Sequence, residues 1–158
     1  MATEVATFAA GCFWKPELKF SRIDGVISTR VGYTGGTVDA PSYELVCTDT
    51  TGHAEAVEVT FDPTRVTYDE LLTAFWAMHD PTQVNRQGPD VGRQYRTAIF
   101  VHNDEQRRAA EASKSELAES GKHTKPIVTQ IVDAGTFFPA EEYHQRYLEK
   151  RGVESCGL

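Results

Sequence analysis

A chain of 158 residues, 40% hydrophobic and 25% charged, has the size and balance of one globular domain, so 1–158 is read as a single domain. A formal charge of −7 argues against a nucleic-acid or anionic-membrane surface, and no apolar run reaches transmembrane length. Three cysteines, Cys12, Cys47 and Cys156, with no CxxC or Cys/His spacing, fit neither a secreted disulfide framework nor a zinc site.

Residues 5–9 are predicted as a short apolar strand ending at Gly11. Ala9-Ala10-Gly11-Cys12 has the outline of a lipoprotein cleavage site, but Glu4 lies in the short segment before it and a charged n-region is missing. The expected location is therefore the cytoplasm. A helix is predicted from about Trp14 to Arg22, because Pro16 is tolerated in a first helical turn. Val26 to Tyr33 reads as a second strand, and 34–52, with Gly35, Gly36, Pro41 and Gly52, as loop. Residues 53–61 alternate, with Val57, Val59 and Phe61 on one face and Glu58 and Thr60 on the other.

Thr67-Tyr68-Asp69-Glu70 is a capping-box pattern opening a helix whose Leu71, Leu72, Phe75 and Trp76 share one side. Residues 80–95 form a long loop, a length that in compact domains is often functional. A strand near 97–102, a polar helix from about Asp104 to Ser120 ended by Gly121, a strand at 127–133 and a short helix around 140–150 complete the chain. The order β-α-β-β-α-β-α-β-α predicts an α+β two-layer sandwich with helices on a mixed β-sheet. It contains a ferredoxin-like plait, followed by a coil-rich, mobile C-terminal tail over 151–158.

Cys12 falls at a strand-to-helix junction, where unpaired N–H groups, the helix dipole and Lys15 would favour a thiolate. Period-two counting puts Glu55 on the apolar face with Val57, where burial should raise its pKa and make it a proton donor near neutral pH. Tyr43 and Tyr95 lie in or beside loops, where a phenol can present its O–H to a ligand. Phe13 and Trp14 could wall an apolar pocket beside Cys12. His79-Asp80 and Glu142 with His144 are too far apart in sequence to suggest a metal site, so surface or capping roles are expected.

The segments GCFW at 11–14, GYTGG at 32–36, PSYELVC at 41–47 and TGHAE at 51–55, then HDPT at 79–82, RQGPDVGRQYR at 86–96 and AEEYHQRYL at 140–148, resemble the peptide methionine sulfoxide reductase A family. They span nearly the whole chain in family order. The resemblance implies Cys12 as the nucleophile, Glu55 as its acid partner, Tyr43 and Tyr95 as ligands of the sulfoxide oxygen, and Phe13 and Trp14 as the holders of the substrate methyl group. It further implies that Asp90 helps order the site, that Cys156 is the resolving cysteine, and that the S epimer is reduced with thioredoxin as reductant. The expected substrates are oxidised proteins or peptides and free methionine sulfoxide; a monomer without cofactor or metal is expected.

Cys47 remains a rival resolver, although a structural role is expected for it. Lys15-Pro16 stands where the family pattern has Gly, which should alter the helix start and the rim of the site. Two other readings use the same residues: a thiol peroxidase, and a non-catalytic reader of oxidised methionine. The aromatic pair beside Cys12 favours a substrate carrying a methyl group over a bare peroxide, and a resolving cysteine has no use in the second.

Overall fold

The computed structural model describes residues 3–48 and 50–150. Its centre is set by two strands that are almost wholly buried, β1 (Glu4–Ala10) and β3 (Ala54–Phe61). They pair antiparallel, with Phe8 opposite Val57 and Ala6 opposite Val59. Beyond them lie β2 (Val26–Thr34), antiparallel to β3, and β6 (Thr97–Val101), antiparallel to β1. The outer positions belong to β7 (Gln130–Asp133), parallel to β6, and β8 (Phe138–Pro139), antiparallel to β2. The sheet order is β7-β6-β1-β3-β2-β8, so the sheet is mixed, as the sequence predicts. A separate hairpin, β4 (Arg86–Gln87) with β5 (Asp90–Val91), and a 3-10 turn at Arg93–Tyr95 occupy the segment predicted as one long loop.

Helices α1 (Trp14–Ser21) and α3 (Tyr68–Ala77) cover one face of the sheet. Phe8 stacks there on Phe20 and Phe75, at centroid distances of 5.0 and 5.2 Å. The Thr67–Glu70 capping box forms as predicted, and Leu71, Leu72, Phe75 and Trp76 are all buried. The long polar helix α4 (Asp104–Glu119) buries little more than Gln106 and Ala110, and the Trp76 indole N–H donates to Ser113 Oγ to tie it to α3. On the opposite face Ala9, Ala54, Ala56 and Ala98 are small enough to admit Ala134 and Phe137 from an extended segment. Gly32 is required there, since a Cβ would stand 2.4 Å from the Phe138 carbonyl oxygen.

Two further predicted elements differ. Residues 34–52 are not all loop: α2 (Tyr43–Cys47) forms because Ser42 caps it, its hydroxyl accepting from the Leu45 N–H at 3.1 Å. Residues 140–150 are not one helix but a 3-10 turn at Glu142–His144 followed by α5 (Tyr147–Lys150). Long-range side-chain bonds override the local helical preference. Gln145 bonds both the N–H and the carbonyl of Val31, and the buried Glu17 carboxylate accepts the Arg146 N–H at 2.6 Å, with Arg146 at φ 51°. This segment is therefore clamped to β2 and α1 immediately before the tail. The tail, with Cys156, lies outside the described residues.

Candidate functional site

The chain leaves β1 through Gly11, whose φ of 88° suits glycine, and turns directly into Cys12 and the N-cap residue Phe13. A Cβ on Gly11 would also meet Gln87 at 2.8 Å. Gln87 is fixed in turn by Asp80, whose N–H donates to its side-chain oxygen and whose carbonyl accepts from its amide. The 80–95 segment is thus seated against the turn that presents Cys12. Gly11→Ala is expected to lower stability by about 1–3 kcal/mol through the strained φ and this contact. It should also reduce kcat/KM by displacing the thiol, which thermal melting and steady-state kinetics would check.

Glu55 stands on β3 opposite Tyr33, on the apolar face inferred from period-two counting, and is 1% exposed. Its Oε1 accepts the Phe13 N–H at 3.4 Å, and its Oε2 has no hydrogen-bond partner among the described residues. Burial, reinforced by the negative charge of Asp90 and only partly offset by the Phe13 N–H, pushes the carboxyl up to about 8. At neutral pH this side chain therefore carries a proton.

The Cys12 thiol departs from expectation. Burial, and then the Glu55 carboxylate, push it up to about 12, and the Trp14 N–H and Lys15 compensate only in part. The helix start does act in the expected direction; desolvation is larger. The free protein holds a thiol, not a preformed thiolate. Since part of the upward push comes from Glu55 as an anion, protonating Glu55 makes the thiolate easier to reach.

Tyr43, the first residue of α2, and Tyr95, at the end of the 3-10 turn, both face Glu55 closely enough for its charge to raise them. Burial is the larger cause in each, and it pushes the Tyr95 phenol up to about 12. Both phenols consequently remain O–H donors. Tyr43 is anchored at its backbone, where its N–H donates to Glu141 Oε2 at 2.9 Å, while Glu141 Oε1 accepts from Tyr33. Cys47, for which a structural role is expected, is exposed, and its thiol is hydrogen-bonded to the Tyr43 phenol.

Beside Cys12 opens a cavity of about 520 Å³, lined by Cys12, Trp14, Asp90, Met78, Pro89 and Leu148 among others. That is ample for a methionine sulfoxide side chain with part of its polypeptide. Lys15 and Pro16 stand on its wall, so the departure from the family pattern falls at the rim as expected. Phe13 is 1% exposed and lies beneath the site rather than on its surface. Trp14 stacks on Tyr147 at a centroid distance of 3.8 Å.

The structure therefore sets Glu55 under the Cys12 turn through the Phe13 N–H, with Asp90, Tyr43 and Tyr95 near enough to interact with it electrostatically, while Cys12, Trp14 and Asp90 line the cavity and Phe13 lies beneath; Cys156 falls outside the described residues. Sequence reasoning missed His144. Expected at the surface, it is 2% exposed and packs among Phe13, Trp14, Tyr43 and Tyr143. His79 is half-buried and takes the capping role expected for it, its ring bonding the Phe75 carbonyl in the last turn of α3 as well as Thr97 Oγ1, and burial lowers it to about 4. Among the described residues no cluster of His, Cys, Asp and Glu could hold a metal ion, and no helix is long and apolar enough to cross a membrane.

A model of the family described as peptide methionine sulfoxide reductase matches residues 4–158. The chain is 62% identical to the peptide methionine sulfoxide reductase MsrA of Geobacter sulfurreducens, over 97% of this chain and 94% of that one. It is also 62% identical to that of Methanothermobacter thermautotrophicus, over 98% and 92%. Among solved structures, reduced Mxr1 from Saccharomyces cerevisiae superposes with a TM-score of 0.89 at 37% identity, covering 95% of this chain and 86% of that chain. Methionine sulfoxide reductase A of Corynebacterium diphtheriae gives 0.84 at 39%, covering 98% and 78%. The peroxidase and reader alternatives give way to these relationships: the chain belongs to the peptide methionine sulfoxide reductase family, and its activity is the thiol-dependent reduction of methionine sulfoxide.

Proposed function

We propose that Cys12 is the nucleophile and Glu55 the acid of this reduction, acting on the S epimer of methionine sulfoxide. The observation that carries the reading is the Glu55 carboxyl, buried beside Cys12, protonated at neutral pH, with one oxygen unpartnered among the described residues. A sulfoxide sulfur becomes attackable only when its oxygen is protonated or strongly hydrogen-bonded, because that oxygen otherwise leaves badly. Glu55 donates the proton, and the Tyr43 and Tyr95 phenols stabilise the oxygen as charge develops. The Cys12 sulfur attacks as its own proton passes to the vacated Glu55 carboxylate. Trp14 holds the methyl group with Phe13 packed beneath as its backing, and Asp90 orders the cavity wall while helping to keep Glu55 protonated.

The sulfur–sulfur bond made by the attack then breaks as the oxygen passes to the Cys12 sulfur, the bonding pair returning to the methionine sulfur, so one sulfoxide and one thiol give one thioether and one sulfenic acid. Cys156, on the 151–158 tail of the single catalytic domain, then displaces that oxygen as water, giving a Cys12–Cys156 disulfide. A thioredoxin-type dithiol restores both thiols by exchange. The relative Mxr1 is itself known in complex with Trx2. Both peptide-bound and free methionine sulfoxide are substrates, and the protein acts as a cytoplasmic monomer. The fold reading that accompanies this function is a ferredoxin-like plait of β1, α1, β2, β3, α3 and β6, extended by β7 and β8 at its edges.

The testing experiment is incubation with racemic methionine sulfoxide and a thioredoxin system, followed by identification of the epimer left. Only the R epimer should remain; equal consumption of both would overturn the stereochemical assignment. Cys156→Ser should release about one methionine per enzyme and then stop with thioredoxin, since a sulfenic acid without its resolving thiol cannot form the exchangeable disulfide. Undiminished turnover of that variant would transfer the resolving role to Cys47.

A further inference from the structure

Trp14 is a ring on the wall of the substrate cavity, and an indole can turn about its χ angles unless its N–H is held. Its Nε1–H donates to His144 Nδ1 at 3.1 Å, and its face rests on Tyr147. Both partners come from the clamped 140–150 segment, more than a hundred residues away in sequence. An indole nitrogen can only donate, so Nδ1 must be the bare nitrogen of a neutral imidazole and the proton must sit on Nε2. Nε2 is buried with no hydrogen-bond partner among the described residues, in a ring of aromatic groups. Leaving such an N–H unsatisfied costs about 1–3 kcal/mol, which a purely space-filling position would avoid with phenylalanine.

We propose that His144 is a positioning residue for the sulfoxide site: as the neutral Nε2–H imidazole it holds the Trp14 indole in the orientation that receives the substrate methyl group. This rests on the reading of Trp14 as a methyl-binding wall. The acceptor exists only while the ring is uncharged. Burial keeps it so, lowering the pKa of His144 against the opposing pull of Glu141 on its own segment and Glu44 on α2. The remaining groups that face the ring are the phenols of Tyr43 and Tyr143, together with Phe13 and Trp14. On acidification a second ring proton would confront the indole N–H donor, and the wall would loosen.

His144→Phe keeps the ring and removes the acceptor, whereas His144→Asn keeps an acceptor near the Nδ1 position. KM for a methionine-sulfoxide peptide should rise about 2- to 13-fold in His144→Phe, as loss of roughly one hydrogen bond predicts. The single-turnover rate at saturation should change less than about threefold, and His144→Asn should recover most of the loss in KM. The acid-side rise of KM in the unmodified enzyme should be absent from His144→Asn. Unchanged KM in His144→Phe, or parallel loss of KM, rate and melting temperature without rescue by asparagine, overturns the proposal. Trp14→Phe separates the two readings: if it leaves KM unaltered, the methyl-wall reading falls and this inference with it. If Trp14→Phe raises KM and His144→Phe does not, only the inference falls.

Discussion

Cys12→Ser is expected to abolish methionine formation, with a loss on the order of 10⁴-fold or more in single-turnover rate. The reason goes beyond the absence of sulfur. Burial that pushes the Cys12 thiol up to about 12 would hold a serine hydroxyl still further from ionisation. A neutral alcohol cannot displace oxygen from a sulfoxide, and it cannot afterwards carry that oxygen as a sulfenic acid. The variant should fold normally, because oxygen for sulfur at a half-buried turn removes little packing. It should also bind sulfoxide still, through Trp14 and the two phenols. The decisive measurement is a single turnover at high enzyme concentration with melting followed in parallel; appreciable methionine from a folded serine variant would remove Cys12 from the nucleophile's role. In a Cys47→Ser background, alkylation of Cys12 in the free enzyme should be slow at neutral pH, in keeping with a resting thiol.

That resting thiol illustrates what sequence could and could not disclose. The strand–turn–helix placement of Cys12 follows from an apolar run, a glycine and a tolerated proline, all within a dozen residues. The burial of Glu55 follows from period-two alternation with Val57, Val59 and Phe61, again a local pattern. The capping box at Thr67–Glu70 and the apolar side of α3 are equally local. The thiol's pKa is not local, because it is decided by how completely α1, β3 and the 80–95 segment close over the turn. Sequence shows the favourable helix start and Lys15 but gives no measure of the desolvation that outweighs them.

His144 was hidden for the same reason. A histidine in a polar stretch of glutamates resembles a surface residue, until Glu17 and Gln145 clamp its segment over Trp14. The misjudged helix at 140–150 and the missed α2 share this cause. Tertiary hydrogen bonds broke the first, and a single serine cap with Glu141 bonding to Tyr43 stabilised the second.

Glu55→Gln is expected to make the enzyme slower and more stable at once. At pH 7 the single-turnover rate should fall by about 10²- to 10⁴-fold, the usual contribution of a positioned general acid. The amide can still hydrogen-bond the sulfoxide oxygen but has no proton to deliver. The unmodified enzyme should lose rate as pH rises through about 8, where Glu55 ionises, and this alkaline limb should vanish in the variant. The stability argument runs through the same proton. The folded-state pKa is raised from 4.5 to about 8, so within that window the folded protein holds a proton that the unfolded chain has released. Whatever Glu55 contributes to stability is therefore fully present below about pH 4.5 and is lost as pH climbs through about 8. Glutamine presents no charge to bury, which favours the variant by up to a few kcal/mol, on the order of 1.4 kcal/mol per pKa unit, at the alkaline end. Melting temperatures taken from pH 5 to 9 should thus diverge, with the variant flatter and higher at pH 9. With the Glu55 charge gone, Cys12 should also alkylate faster there than in the parent. A carboxyl placed to satisfy packing alone would give the stability difference without the loss of rate; a slow variant with a parallel pH–stability curve would instead mean that Glu55 does not hold its proton in the folded state. Only a proton held in the buried site and spent on the sulfoxide oxygen predicts both effects together.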